Sequence, residues 1–265
     1  MRAGMVDMES NTTLVQSFPA HEAVPEGRGP FPPVVVFHDA FGLTVRMRGI
    51  VNRLAREGFY AIAPNFYALP SSFASVAPEF MRTMTVGGFE REDEDAARER
   101  ERTLTDARAE AIFRQAFRYV SGRSVARPQR CGALGFSMGG RLAFLAACAA
   151  PESVGSLVAF HPTGLGGGEA LHPGQSDPLE RAGSLDAPAL FVYGRLDSSI
   201  RESERSRVRE TLTELKKDFQ IEEIPEAGRD FLFADDPNFR IRASRLAWEK
   251  TLALLKRASA RAHAL

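Results

Sequence analysis

Hydrophobic residues along this chain fall into short continuous runs separated by longer stretches of helical period. Pro32 and Pro33 lead into Val34-Val35-Val36-Phe37, a β-branched run bounded by turn formers, as expected of a strand buried on both faces. From Val45 to Glu57 the period changes: Ile50, Val51, Leu54 and Ala55 share one face of a predicted helix, and Gly58 supplies its stop. Phe59-Tyr60-Ala61-Ile62-Ala63 reads as a second buried strand, closed by Pro64. Residues 92–120 read as one long helix. An acidic cluster, Glu92 to Asp95, lies at its positive dipole end, and Ala111, Ile112, Ala116, Phe117 and Val120 form an apolar stripe. The preceding stretch, 70–91, has no clean period and reads as an insertion. The 70–110 region suits either a lid or a dimer contact.

The same alternation continues to the end of the chain. Strands are predicted at Cys131 to Phe136, Ser156 to Phe160, Ala189 to Tyr193 and Phe219 to Ile224. Helices are predicted over 138–150, from Glu202 to Asp218, and from Arg242 to Arg257, the last carrying Leu246, Trp248, Leu252 and Leu255. Such alternation predicts an α/β protein with a doubly wound, mostly parallel sheet flanked by helices. No internal repeat and no linker divides it. The Gly-rich piece at 164–168 and the loop to Asp186 read as a surface connection. The expected organisation is a single domain over 12–258 with flexible termini at 1–11 and 259–265.

Composition narrows the partners more than the fold. The chain has 265 residues, 44% hydrophobic and 26% charged, with a formal net charge of zero. Without a long-range field there is no driving force toward nucleic acid or an anionic membrane. The longest apolar run, Leu142 to Ala150, is too short to span a bilayer. Met1 to Asn11 is polar and lacks the apolar segment of a secretory signal. The two cysteines, Cys131 and Cys148, form no CxxC pair. A cytoplasmic protein is expected. Its expected partners are a small-molecule ester, lactone or anionic ligand, with no cofactor and no metal.

Three sites carry chemistry. Gly135-Phe136-Ser137-Met138-Gly139-Gly140 fits G-x-S-x-G between a predicted strand and a predicted helix, the context of a nucleophile elbow. The bland alternative is a tight strand–turn–helix with a serine at a small position. As an elbow, it presents Ser137 Oγ above the sheet, with Met138 N–H as one oxyanion donor. His38-Asp39-Ala40 ends the first core strand, where Ala40 N–H is the expected second donor and His38 reads as a loop anchor behind the hole. Gly194-Arg195-Leu196-Asp197 follows a later strand, which makes Asp197 the acid candidate. An aspartate capping the next helix reads the same way.

These blocks, together with Ala63-Pro64-Asn65-Phe66-Tyr67 and Glu226-Ala227-Gly228-Arg229-Asp230-Phe231, resemble the dienelactone hydrolase family in order and spacing. The resemblance covers nearly the whole chain after about residue 12. It implies the α/β-hydrolase fold and metal-free opening of lactones or cleavage of small esters. Three departures stand out. The family's usual nucleophile is cysteine, and here it is Ser137. The family's glutamate beside the nucleophile is Asp39. The family's Ala-Gly-His-Gly-Phe reads Ala227-Gly228-Arg229-Asp230-Phe231, so Arg229 stands where the catalytic histidine is expected.

Arginine stays protonated and cannot take the serine proton; near Asp197 it is expected to pair with that carboxylate. Of the other histidines, only His263 follows Asp197, close to the chain end, while His21 and His172 read as loop residues. His161 follows Leu157-Val158-Ala159-Phe160 and so lies at the sheet's C-terminal edge. It reads either as a tie for the loop at Pro162 or as a base. Asp230, next to the missing histidine, and Asp39 are the carboxylates that could replace it, an aspartate being a poor base toward a serine proton unless burial raises its pKa. Tyr67 and Arg82 read as pocket-lining residues or as a packed tyrosine and a surface arginine. Two functions follow: a serine ester or lactone hydrolase with an incomplete triad, or a noncatalytic hydrolase fold that binds a small anion or a protein partner.

Overall fold

The computed structural model of the chain describes residues 1–8, 18–68, 94–167 and 172–261. Arg82, His263 and the start of the acidic cluster at 92–93 lie outside the described residues. The chain divides into two compact units. The first comprises Met1–Cys131 with His172–Gly174, and the second Gly132–Leu171 with Gln175–Leu265. Each unit is built of strands flanked by helices.

The first unit holds β1 (Arg2–Met8), β2 (Phe18–Val24), β3 (Pro33–Phe37) and β4 (Tyr60–Pro64), ordered β1-β2-β4-β3. β3 and β4 run parallel, in register from Pro33 opposite Tyr60 to Val35 opposite Ile62. Every residue of both strands is buried, which is why they read as unbroken apolar runs. β1 and β2 are additions to the predicted set, and both pair antiparallel. The first eleven residues, expected as a flexible terminus, therefore contribute a strand. The pairing stabilises a segment whose own polar sequence carries no strand signal. His21, expected in a loop, lies in β2, where its Nε2 shares a 3.0 Å hydrogen bond with Asn52 Oδ1.

Helix α1 (Val45–Arg56) is capped by Thr44, whose hydroxyl accepts from Met47 N–H. It ends as predicted at Gly58, with φ +93°. The single helix expected over 92–120 is instead two, α2 (Glu94–Thr103) and α3 (Asp106–Ser121). Thr105 adopts an extended conformation between them, and its hydroxyl caps α3 by accepting from Arg108 N–H.

The second unit holds β5 (Cys131–Phe136), β6 (Val154–Phe160), β7 (Ala189–Gly194) and β8 (Phe219–Ile224), adjacent in that order; β6, β7 and β8 run parallel. α4 (Met138–Ala149) packs on β6, and α6 (Ile241–Arg261) on β6 and β7. A 3-10 helix at Pro178–Ser184, capped by Asp177, interrupts what the sequence presents as a plain surface connection. α5 (Glu202–Glu214) stops four residues before its expected end at Asp218. Lys216 turns left-handed at φ +52°, its N–H bonds Thr213 O, and Lys217 N–H bonds Leu212 O, the paired pattern that closes a helix. α6 in turn runs past the expected Arg257 to Arg261, so the C-terminal tail expected from 259 is still helical there.

Candidate active site

The second unit gathers the site at the C-terminal ends of its strands. β5 delivers Ser137 with φ +53° and ψ −123°, a conformation costly for any residue with a Cβ. The flanking glycines explain how it is held. A Cβ on Gly135 would sit 2.1 Å from Gly139 O, and one on Gly140 would sit 2.9 Å from Pro162 Cβ. Only backbone fits between strand, helix and the loop after β6, so α4 starts directly behind the serine. Ser137 N–H donates to Phe160 O at 2.9 Å, which ties the elbow to the end of β6.

Ser137 is buried, and its Oγ has two neighbours. Arg229 Nη2 donates to it at 2.8 Å, and Thr163 Oγ1 lies 3.3 Å away. Since the guanidinium can only donate, it occupies a lone pair of Oγ and leaves the hydroxyl proton directed elsewhere, with Thr163 Oγ1 in reach. Arg229 gets there because the turns after β7 and β8 lie against each other. Leu196 N–H donates to Ala227 O, Arg195 N–H to Ile224 O, and a Cβ on Gly194 would lie 2.4 Å from Ala227 O. The expected ion pair between Arg229 and Asp197 is absent among the described residues. The guanidinium is spent on the serine instead, because the turn carries it over the elbow.

Asp197 is buried, and its two oxygens differ. Oδ1 accepts from Ser199 N–H at 2.9 Å and Ser199 Oγ–H at 2.6 Å, which closes the turn after β7 well before α5 begins. Among the described residues Oδ2 has no hydrogen-bond partner and faces His161 Nδ1 at 3.8 Å, itself buried without a partner there. His161 is also left-handed, at φ +45°, and Phe231 packs edge-on against its ring at 5.3 Å. Its N–H bonds Val192 O at 2.9 Å, so the backbone ties the loop, while Nδ1 bonds nothing among the described residues. Burial pushes the imidazole below its usual range; Asp230 and Asp197 act against that, and Arg229 adds to it. Asp230, half-buried, is left-handed at φ +60°.

The remaining candidates belong to the first unit. His38 is fully buried, Nδ1 bonded to Asp39 O at 2.7 Å and Nε2 accepting from Phe66 N–H at 3.0 Å. Both nitrogens are thus committed to backbone, the loop-anchor role read from the sequence, and burial lowers its pKa to about 4. Asp39 Oδ1 accepts from Phe41 N–H, and Tyr67 Oη–H donates to Ala40 O at 3.0 Å, so tyrosine and carboxylate both shape the Ala40 loop. Thr163 was not singled out from the sequence. Its only signal is its place two residues after His161 on the same strand end.

The model of the dienelactone hydrolase family matches residues 18–259. A protein of Methylorubrum extorquens provisionally named a carboxymethylenebutenolidase is 28% identical over 232 residues, covering 88% of this chain and 74% of its own length. An Escherichia coli K12 protein with the same provisional name is 28% identical over 244 residues, covering 91% of this chain and 82% of its own. A crystal structure from Klebsiella pneumoniae, provisionally named a dienelactone hydrolase, superposes with a TM-score of 0.81 at 24% identity, over 97% of this chain and 99% of that one. The match supports a hydrolase of the α/β-hydrolase type, and no helix among the described residues is long and apolar enough to cross a membrane. The chain belongs to the dienelactone hydrolase family.

Proposed function

We propose that the protein hydrolyses small esters or lactones through an acyl-enzyme on Ser137. The observation that supports this most is the strained serine at +53°, held between two glycines that admit no side chain. Strain of this kind persists where the surrounding structure over-determines it, and it clusters at working sites. Ser137 Oγ attacks the carbonyl carbon and Met138 N–H, at the start of α4, faces the developing oxyanion. Arg229 supplies fixed positive charge at the attacking oxygen. In the test, a fluorophosphonate probe labels wild type and not Ser137→Ala, and p-nitrophenyl acetate turnover is lost in the same variant. Equal labelling of both proteins would refute the assignment.

A second reading rests on the Arg229–Ser137 hydrogen bond. A guanidinium on the serine favours a bound carboxylate or phosphate at that position, as in a noncatalytic anion-binding protein. Under this reading small carboxylates raise the melting temperature of wild type and not of Arg229→Ala. Absence of any shift in wild type would eliminate it.

A further inference from the structure

With arginine on the turn after β8, the serine needs a base from elsewhere. We propose that His161, oriented by Asp197, is the general base of Ser137, so that the base comes from the end of β6. The inference rests on the serine-hydrolase reading above.

Three observations carry it. First, the chain from Phe160 to Thr163 is attached to the nucleophile at both ends. Phe160 O accepts the Ser137 N–H, and Thr163 Oγ1 lies 3.3 Å from Ser137 Oγ, with His161 between them. Second, His161 Nδ1 and Asp197 Oδ2 are buried, without a partner among the described residues, and 3.8 Å apart. Two orphaned polar atoms facing each other inside a protein are costly, and a shift of under about 1 Å joins them in one hydrogen bond. Closed in this way, Asp197 fixes the tautomer with the proton on Nδ1 and leaves Nε2 as the basic nitrogen. Third, His161 is held left-handed at +45°, a strained backbone beside a second strained residue, Ser137. A histidine whose only task was to tie the loop would use its ring nitrogens, as His38 does.

The charged groups around the ring suit the task. Asp230 and Asp197 stabilise an imidazolium as it forms, and Arg229 with burial keeps the resting ring neutral. In the reaction the Ser137 proton passes to Nε2 as the Oγ–carbon bond forms and the carbonyl electrons move to oxygen. Collapse breaks the bond to the leaving alkoxide, which takes the proton from His161. Water then adds to the acyl carbon, its proton passing to Nε2 and on to Ser137 Oγ as the acid leaves.

The experiment compares p-nitrophenyl acetate hydrolysis and its pH profile in wild type, Ser137→Ala, His161→Asn and His161→Gly. Asn and Gly both tolerate the left-handed backbone, and the Gly variant leaves room for free imidazole. The expected results are a wild-type limb below pH 6.5, a loss of about 100-fold or more in His161→Asn, and recovery of His161→Gly by added imidazole. His161→Asn within about threefold of wild type, with Ser137→Ala inactive, would overturn the inference and leave the serine reading intact. Wild type no faster than Ser137→Ala would overturn both. Should the variants not fold, the wild-type profile decides: a rate with no acid limb anywhere below pH 6.5, down to the pH at which the fold is lost, rejects a histidine base.

Discussion

His38 gives a quantitative prediction about acid stability. Folded, its imidazole is neutral, fully buried and bonded to backbone on both sides, with its pKa lowered from 6.5 to about 4. In the unfolded chain it takes a proton near pH 6.5. Between these values the unfolded state binds more protons, so stability rises with pH across the window and is lost as pH falls through it. Linkage puts the loss from this one group at about 2 kcal/mol by pH 5 and about 3 kcal/mol by pH 4. His38→Gln keeps an acceptor for Phe66 N–H and removes the titration. Urea unfolding of wild type and His38→Gln at half-unit steps from pH 7.5 to 4 isolates the term, because the other histidines and the carboxylates are common to both. The wild type's advantage should shrink by about 3 kcal/mol across the range. A gap constant to within about 1 kcal/mol would refute the neutral, backbone-locked histidine.

Other substitutions test other links. Gly135→Ala, whose Cβ would lie 2.1 Å from Gly139 O, should cost at least about 3 kcal/mol or prevent folding, read from the denaturation midpoint. Lys216→Gly relieves the left-handed residue that ends α5 and should stabilise by about 1 kcal/mol; a lowered midpoint would contradict the helix-ending geometry. Arg229→Met removes a charged donor from Ser137 Oγ and should slow acylation by roughly 10- to 100-fold, measured as the rate of fluorophosphonate labelling. An unchanged labelling rate would show that the guanidinium plays no part in activating the serine.

Much of the fold is legible in the chain because its central strands are buried on both faces. β3, β4, β5 and β7 admit no polar residue, so their apolar runs stand out. β1 does not stand out, since four of the six residues whose burial is described are exposed and pairing with β2, not composition, makes it a strand. The break at Leu104–Thr105 is hidden inside a charge-rich helical pattern, although Thr105 is a good cap residue. The end of α5 depends on Lys216 turning left-handed, which no propensity assigns to lysine.

By itself the sequence determined the tight strand–turn–helix around Ser137, because G-x-S-x-G between strand and helix leaves the backbone little choice. It also determined that the turn after β8 carries arginine where a base is expected, and that an acid follows β7. It did not determine what the arginine touches. Electrostatics pointed Arg229 at Asp197, yet the packing of the β7 and β8 turns at Gly194 and Ala227 carries the guanidinium to Ser137 Oγ. Nor did it determine that Asp197 gives one oxygen to Ser199 and turns the other toward His161 Nδ1, 3.8 Å away, or that Thr163 lies beside the serine. Apart from the local Asp197–Ser199 turn, those relations link residues far apart in the chain, and only tertiary packing, which sets side-chain positions to within an ångström, decides them.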